Sequence, residues 1–415
     1  MPLNPLRLLP LVLLIFALPC GAQEWTRFRG PNGSGVNAAI TIPPVWTAKD
    51  YRWNITLPGG GHSSPVLWGD RIFITCADDQ TAQRTLLCIS AADGSTIWKQ
   101  EIPAHPFHQH GDNSYASSTP AVDADRVYVC WNTPEELSLM AFDHAGKSLW
   151  TTNLGPFISQ HGGGNSPIVA GDVVLVGDDQ EGRESFLFGI DRATGKILWK
   201  LPRRSSSFSA STPILFPSDA SPATSPLAIF ISKGEGITAV DPISGKVAWA
   251  LPDVFDSRTI SSPVTADGLI LATCGEGAGG HMLIAARPSD TASQPPQVAY
   301  KLTDDTPYVP TPLIKGDLLF LLSDRGILTC CRAATGSLIW QQRLGGSFYS
   351  SPVCANNTLF CTTKQGKVIA IAAAEKFQLL GQNDLSEKCQ STPALADGCM
   401  LIRTYTHLIC VNGIK

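Results

Sequence analysis

Histidines crowd one short stretch of this chain, where "HPFHQH" places His105, His108 and His110 together with Asp112 just beyond. Imidazoles beside a carboxylate form a donor set suited to zinc or copper. No helical or strand period fixes their separations, and histidines on a loop are more often solvated or stacked, so all three stand as metal-ligand candidates without a defined geometry. Two other stretches suggest phosphate. Gly275-x-Gly277-x-x-Gly280 in "GEGAGG" matches a dinucleotide fingerprint, and Thr194-Gly195-Lys196 sits in "GIDRATGKILWK". A phosphate loop needs glycine-rich backbone running into a helix, and neither stretch is followed by a helical period. Both therefore read as hairpin corners. No Ser-His-Asp arrangement or kinase-like string is present.

A broader set of polar residues lies in seven Gly- and Ser-rich connections, "PGGGHSS", "HQHGDNSYASS", "QHGGGNS", "RRSSSFSAS", "DSRTISS", "GGSFYSS" and "KCQS". If one face of the molecule collects them, His62, His110, Asn113, Tyr115, His161, Asn165, Arg204, Arg258, Tyr308 and Tyr349 gather around one funnel. Aromatics, imidazoles and two guanidiniums at a concave mouth would suit a small ligand. The same Ser and Asn residues could instead satisfy backbone groups at strand starts.

The elements that must hold these residues come from a repeat. A Ser/Thr-Pro pair opens an apolar run eight times, with prolines at 65, 120, 167, 213, 263, 312, 352 and 393. Proline is at home at the first position of a strand, where no ladder donor is needed. Each opening leads through "GD"- or "DG"-type turns into further short strands. The last strand carries an aromatic residue, at Trp98, Trp150, Trp199, Trp249 and Trp340. Tyr300 and Leu380 occupy the weaker fifth and seventh copies. Four strands recurring at roughly 45 residues predict an all-β, eight-bladed β-propeller of four-stranded antiparallel blades.

The final copy stops after its third strand. Trp53 stands twelve residues before Pro65, as Trp340 does before Pro352. A strand at about 51–58 is thus expected to complete the last blade, docking Trp53 and leaving no free sheet edge. The expected organisation is a signal peptide over 1–22, an extension over 23–50 lying on the propeller, and one propeller domain over 51–415. Insertions such as "PSDASPATSP" and "RPSDTASQPPQ" should hang from the face opposite the funnel. Longer loops on the funnel side place a functional face over blades one to three.

Arg7, "LLPLVLLIFAL" and "CGA" form a leader expected to be cleaved after Ala22. Lipid attachment at Cys20 is an alternative that Pro19 disfavours, and a retained anchor is a third. The apolar run is too short to predict a membrane span. A net charge of −4 with 16% charged residues offers no basic stripe for nucleic acid. A monomer is expected. Of the 12 cysteines, 11 follow the leader. Most fall in strand-like runs as buried hydrophobes. Export would still allow bridges, with Cys399–Cys410 and Cys76–Cys88 as candidate pairs across hairpins. Neighbouring Cys330 and Cys331 point to opposite faces of a strand and should not bridge.

The frame Ala239-x-Asp241-x-x-x-Gly245-Lys246-x-x-Trp249 resembles the pyrroloquinoline-quinone (PQQ)-type repeat, and "WTRFRGPNGSGV" resembles the leader of exported propellers built from it. That resemblance implies one of two functions. The first is a non-catalytic protein- or ligand-binding scaffold in the periplasm or cell envelope, like the propeller lipoprotein of the outer-membrane β-barrel assembly machinery. The second is a PQQ- and calcium-dependent oxidoreductase. Such enzymes set a vicinal cystine, a calcium ion and a catalytic aspartate around the quinone, and no motif here assigns them. A carbohydrate-binding or carbohydrate-acting propeller is a further alternative, suggested by the aromatic and polar mouth.

Overall fold

Each Ser/Thr-Pro pair opens a strand only a few residues long, and these short strands stand innermost. In the computed structural model, which describes residues 24–414 apart from 183, 218–224, 278 and 289–294, first strands of neighbouring blades contact one another around a central axis. Outward from each lie three longer strands paired antiparallel. Blade 1 shows the pattern in Val66–Trp68, Arg71–Ala77, Arg84–Ser90 and Thr96–Ile102. Among the described residues the strands form eight such sheets. The leader and most of both long insertions lie outside the described residues.

Six of the eight hydroxyls that precede the prolines share one task. The Ser64 amide donates to Thr119 Oγ1 at 3.0 Å and the Thr119 amide to Ser166 Oγ at 3.0 Å. Thr212, Ser262, Thr311 and Ser351 donate in the same way to Ser262, Thr311, Ser351 and Thr392, at 3.0 or 3.1 Å. Six of the eight openings thus satisfy the buried strand-start donor of the blade before, while the Ser64 hydroxyl has no partner among the described residues. A girdle of side-chain hydrogen bonds results.

The aromatic repeat links blades at the outer rim. Trp98, Trp150, Trp199 and Trp340 donate their indole N–H to the following blade's turn carbonyls, at His144, Arg192, Pro242 and Ala374, over 2.9 to 3.1 Å. Trp249 packs into the cluster shared with Ile270 and Ile284 of blade 5. Tyr300 substitutes a hydroxyl bond to Ala333 at 2.6 Å. The Thr-Gly-Lys stretch is the matching corner. Asp191 Oδ1 accepts from the Thr194 amide at 2.8 Å, and Gly195 adopts φ +76° against the Trp150 ring. A Cβ at Gly195 would lie 2.6 Å from that indole, so the position requires glycine for both conformation and space.

The last blade is completed from the front of the chain. Tyr51–Thr56 pairs antiparallel with His407–Asn412, opposing Trp53 to Cys410, and Trp53 donates to Ala91 O of blade 1 at 3.0 Å. Arg403, fully buried, reinforces this closure by donating to Ser63 Oγ at 2.6 Å and Thr75 O at 2.9 Å.

The segment from Trp25 to Asn37 threads the axis. It bonds to inner strands of blades 1, 2, 4, 6, 7 and 8 through Trp25–Leu67, Thr26–Val122, Asn32–Leu215, Arg29–Pro312, Gly35–Cys354 and Asn37–Leu395. Val36–Asn37 also adds a fifth, parallel strand to blade 7 along Val353–Ala355.

The cysteine pairs expected across hairpins do not form. All eleven described cysteines are free and buried. Cys76 packs with Ile72 and Ile74, whereas Cys88 packs with Phe73 on the opposite face of the same blade. The blade 8 hairpin closes with Thr404 bonded to His407, which opposes Cys399 to Asn412 and Cys410 to Leu401. The Cys410 thiol and burial push Cys399 strongly upward, as expected of a protonated thiol packed as a hydrophobe. Cys330 and Cys331 point into different clusters on the two faces of their strand.

Candidate functional site

The connections that enter the inner strands surround a cavity of about 350 Å³ on the axis. Its wall includes girdle hydroxyls Thr119, Ser166, Thr212, Thr311, Ser351 and Thr392, and Phe28 of the threading segment also reaches it. Apolar surface comes from Phe28, Phe208, Ile260 and Val309. Seven of the ten residues nominated from sequence line it: His62, His110, Asn113, His161, Arg258, Tyr308 and Tyr349.

The other three lie outside. Tyr115 turns into the blade 1–2 interface, donating to Phe107 O at 2.8 Å with the two rings 5.0 Å apart. Asn165 is buried and braces backbone through Gly177 O at 2.6 Å and Ser209 O at 3.3 Å. Arg204 swings to the surface, where its amide and guanidinium meet Glu235. His105 and His108 are exposed and do not line the cavity. Among the described residues no three metal-ligating side chains gather, so "HPFHQH" does not form a metal site with Asp112.

The connection holding that stretch spans the mouth. On one side the His110 amide meets His161 O at 3.4 Å, and Asn113 Nδ2 donates to His161 O at 2.6 Å and Gly163 O at 3.0 Å. On the other, Asp112 reaches blade 7. Lys364 Nζ lies 2.5 Å from Asp112 Oδ1, and the Tyr349 hydroxyl donates to Oδ2 at 3.2 Å. The ammonium also sits 4.1 Å from the Tyr349 ring centroid. Burial alone would push Asp112 up, but Lys364 and the Tyr349 hydroxyl outweigh it and hold the carboxyl below its ordinary range. Tyr349 is displaced upward by burial and by Asp112.

This strap makes a measurable prediction. A half-buried ion pair contributes about 1 kcal/mol after solvent screening, a factor of roughly five in an opening equilibrium. Asp112→Asn should therefore accelerate hydrogen exchange at the His110 and Asn113 amides roughly fivefold while leaving strand amides unchanged. Equal exchange in both proteins would show that the strap is held by blade 3 alone.

Opposite the strap, Arg258 is held by several contacts. Its carbonyl accepts from Gly275 N at 2.9 Å, its guanidinium lies 5.9 Å from the Tyr308 centroid, and Nη1 bonds His161 Nε2. A guanidinium can only donate, so His161 accepts there as a neutral ring with its proton on Nδ1. Burial and then Arg258 depress its pKa accordingly. The His161 ring stacks on Phe208 at 24° and stands 5.5 Å from His110. His62 is pushed down to about 3 by burial, then by Arg403, and is neutral too. Its ring packs 5.4 Å from Tyr405.

A quinone with calcium, as the resemblance to PQQ-repeat enzymes would imply, needs ligands that this lining would have to supply. Calcium takes six to eight oxygens, several from carboxylates. Among the described residues lining the cavity Asp112 is the single carboxylate, and Lys364 already engages it. Cys330 and Cys331 lie in a blade strand, away from the cavity. The residues present do not fit that cofactor pair.

A family model described as outer membrane protein assembly factor BamB matches residues 43–209, 82–300 and 234–379. No curated protein matches the sequence. Among solved structures, BamB from Moraxella catarrhalis aligns with a TM-score of 0.63 and 13% identity, over 87% of this chain and 96% of that one. Quinohemoprotein alcohol dehydrogenase from Comamonas testosteroni gives 0.63 and 13%, over 95% and 81%. A europium-containing methanol dehydrogenase gives 0.53 and 13%, over 94% and 91%. At such identity these structures share the fold alone. With the family model spanning most of the eight blades, the chain belongs to the BamB family of PQQ-repeat β-propellers.

Proposed function

We propose that this protein is an exported, non-catalytic propeller of the cell envelope that binds a small ligand in its axial cavity and serves there as a scaffold for envelope proteins. The observation that carries the reading is the cavity itself, walled in part by Phe28 and spanned at its mouth by the Asp112 strap. Apolar walls with a few fixed polar groups are the usual makeup of a small-molecule site. The family match and the leader expected from the sequence support an envelope location.

Ala210 lines the cavity, and Ala210→Phe would fill much of it. Protein purified from the envelope fraction should carry a bound small molecule visible by native mass spectrometry, and the filled variant should not. An empty parent protein, or equal retention by Ala210→Phe, would remove the ligand reading. Dye reduction with alcohols or sugars in the presence of PQQ and calcium would overturn the non-catalytic one.

A further inference from the structure

We infer that the axial cavity takes a small aromatic monocarboxylate, with its carboxylate on Arg258 and its ring against the apolar wall. This rests on the reading that the cavity binds a ligand, and adds the chemistry of that ligand. Charge is the first ground. Lys364 and Asp112 cancel across the mouth. His161 accepts from Arg258, and His62 is buried as a neutral ring. Arg258 makes no ion pair among the described residues. Glu181, outside the lining, is tied to the Gln160 amide at 2.6 Å and lies 3.8 Å from His161 Nε2. The lining and its latch thus sum to two cations, Arg258 and Lys364, against one anion, Asp112, leaving a single positive charge.

Geometry is the second ground. Arg258 carries five N–H donors, of which the described protein partners engage a minority, at His161 and at the Tyr308 hydroxyl. Tyr308 and His161 restrict the guanidinium, so little side-chain freedom remains to be lost when an anion binds. A planar carboxylate matches the guanidinium fork in two parallel hydrogen bonds, which a lysine could not offer. The remaining wall near it is flat or apolar, formed by Phe208, Tyr308, Ile260 and Phe28. An aromatic ring can pack flat on such a wall while its carboxylate meets the guanidinium.

The test separates charge from shape by using 2-naphthoate and 2-naphthamide, which differ only in the charged group. Calorimetric titration of the mature protein should show naphthoate binding at least tenfold more tightly than the amide. Arg258→Gln should weaken naphthoate ten- to a hundredfold and change the amide less than twofold, and Arg258→Lys should fall between. Circular dichroism melting confirms that each variant is folded. If both compounds bind equally, or Arg258→Gln leaves naphthoate unchanged, the carboxylate inference fails while the cavity reading stands. Competition by inorganic phosphate as effective as naphthoate would also overturn it, by making the class phosphate. Failure of both compounds to bind, with a small molecule still retained in the native mass spectrum, would sink the inference alone. Failure of both tests would sink the cavity reading as well.

Discussion

Replacing Arg29 with methionine should lower stability by about 3–5 kcal/mol, the cost of leaving five buried carbonyls without their donors. Arg29 is 0% exposed. Its five N–H groups meet five carbonyls. Nε donates to Gly33 O at 3.1 Å, and Nη1 to Thr311 O at 3.3 Å and Pro352 O at 2.9 Å. Nη2 donates to Ser34 O at 3.2 Å and Pro312 O at 3.0 Å. No carboxylate balances it, so burial pushes its pKa down, and the carbonyl oxygens supply the compensating charge. Methionine preserves much of the volume and orphans all five acceptors. Lysine keeps the charge with three donors and should lose less. Gly35→Ala supplies an independent check, because its Cβ would lie 2.6 Å from Arg29 Nη2 at φ +70°. Urea midpoints of the three variants decide the matter. A loss below about 1 kcal/mol for methionine would mean the carbonyls find water instead.

That Arg29 matters could not be read from "WTRFRGPNGSGV". Its acceptors at Thr311, Pro312 and Pro352 are about three hundred positions away and are backbone atoms. The ring itself was legible, because the Ser/Thr-Pro openings and the rim aromatics perform local jobs repeated in most blades. Even the closure was written in spacing, with Trp53 and Trp340 standing at the same distance before the next proline. Disulfides failed for a small reason. Direct opposition of Cys399 and Cys410 needs a blade 8 turn centred on Thr404-Tyr405; the Thr404–His407 bond sets the turn one step later, which shifts every opposed residue by two and leaves the two thiols as diagonal neighbours. At Cys76 and Cys88 the error was one of face.

The cavity shows the same division. Position along a repeat was enough to bring seven nominated side chains to one wall, since the connections converge wherever the blades do. Direction was not. Arg204 occupies a connection like that of Arg258, yet Glu235 draws it outward, while Arg258 is turned in toward His161 and Tyr308. Asn165 sits beside the girdle and is consumed by Gly177 O. Lys364 went unnoticed because it lies in blade 7 and gains meaning only through Asp112, far away in sequence. Motifs of a single segment expose none of these pairings.

A second large effect should appear where the blade 3 strand Val173–Asp178 ends. Asp178 is 1% exposed, and its Oδ1 has no hydrogen-bond partner among the described residues. Oδ2 accepts only from Gln180 Nε2, at 3.3 Å. Burial, and then the adjacent Asp179, push its pKa up to about 8, with Lys200 and Gln180 acting weakly in the other direction. Asp179 itself is paired with buried Arg203 at 3.0 Å, and across from Asp178 the Cys130 thiol is pushed up to about 12 by its own burial. An acid with a raised folded-state pKa keeps its proton in the fold after the unfolded chain has released it. Stability from this group is therefore whole below about pH 4 and is lost as pH rises through about 8. Each unit of such a shift corresponds to about 1.4 kcal/mol, and water reaching the opened site would reduce the sum. Asp178→Asn keeps the shape and removes the charge. It should stabilise the protein by about 2–4 kcal/mol at pH 8 and by almost nothing at pH 4. Unfolding midpoints of parent and variant at both pH values give the difference directly, since every other titrating group is common to the two proteins. A gain independent of pH would mean that Asp178 is ionised in the fold and finds a cation or water that satisfies Oδ1.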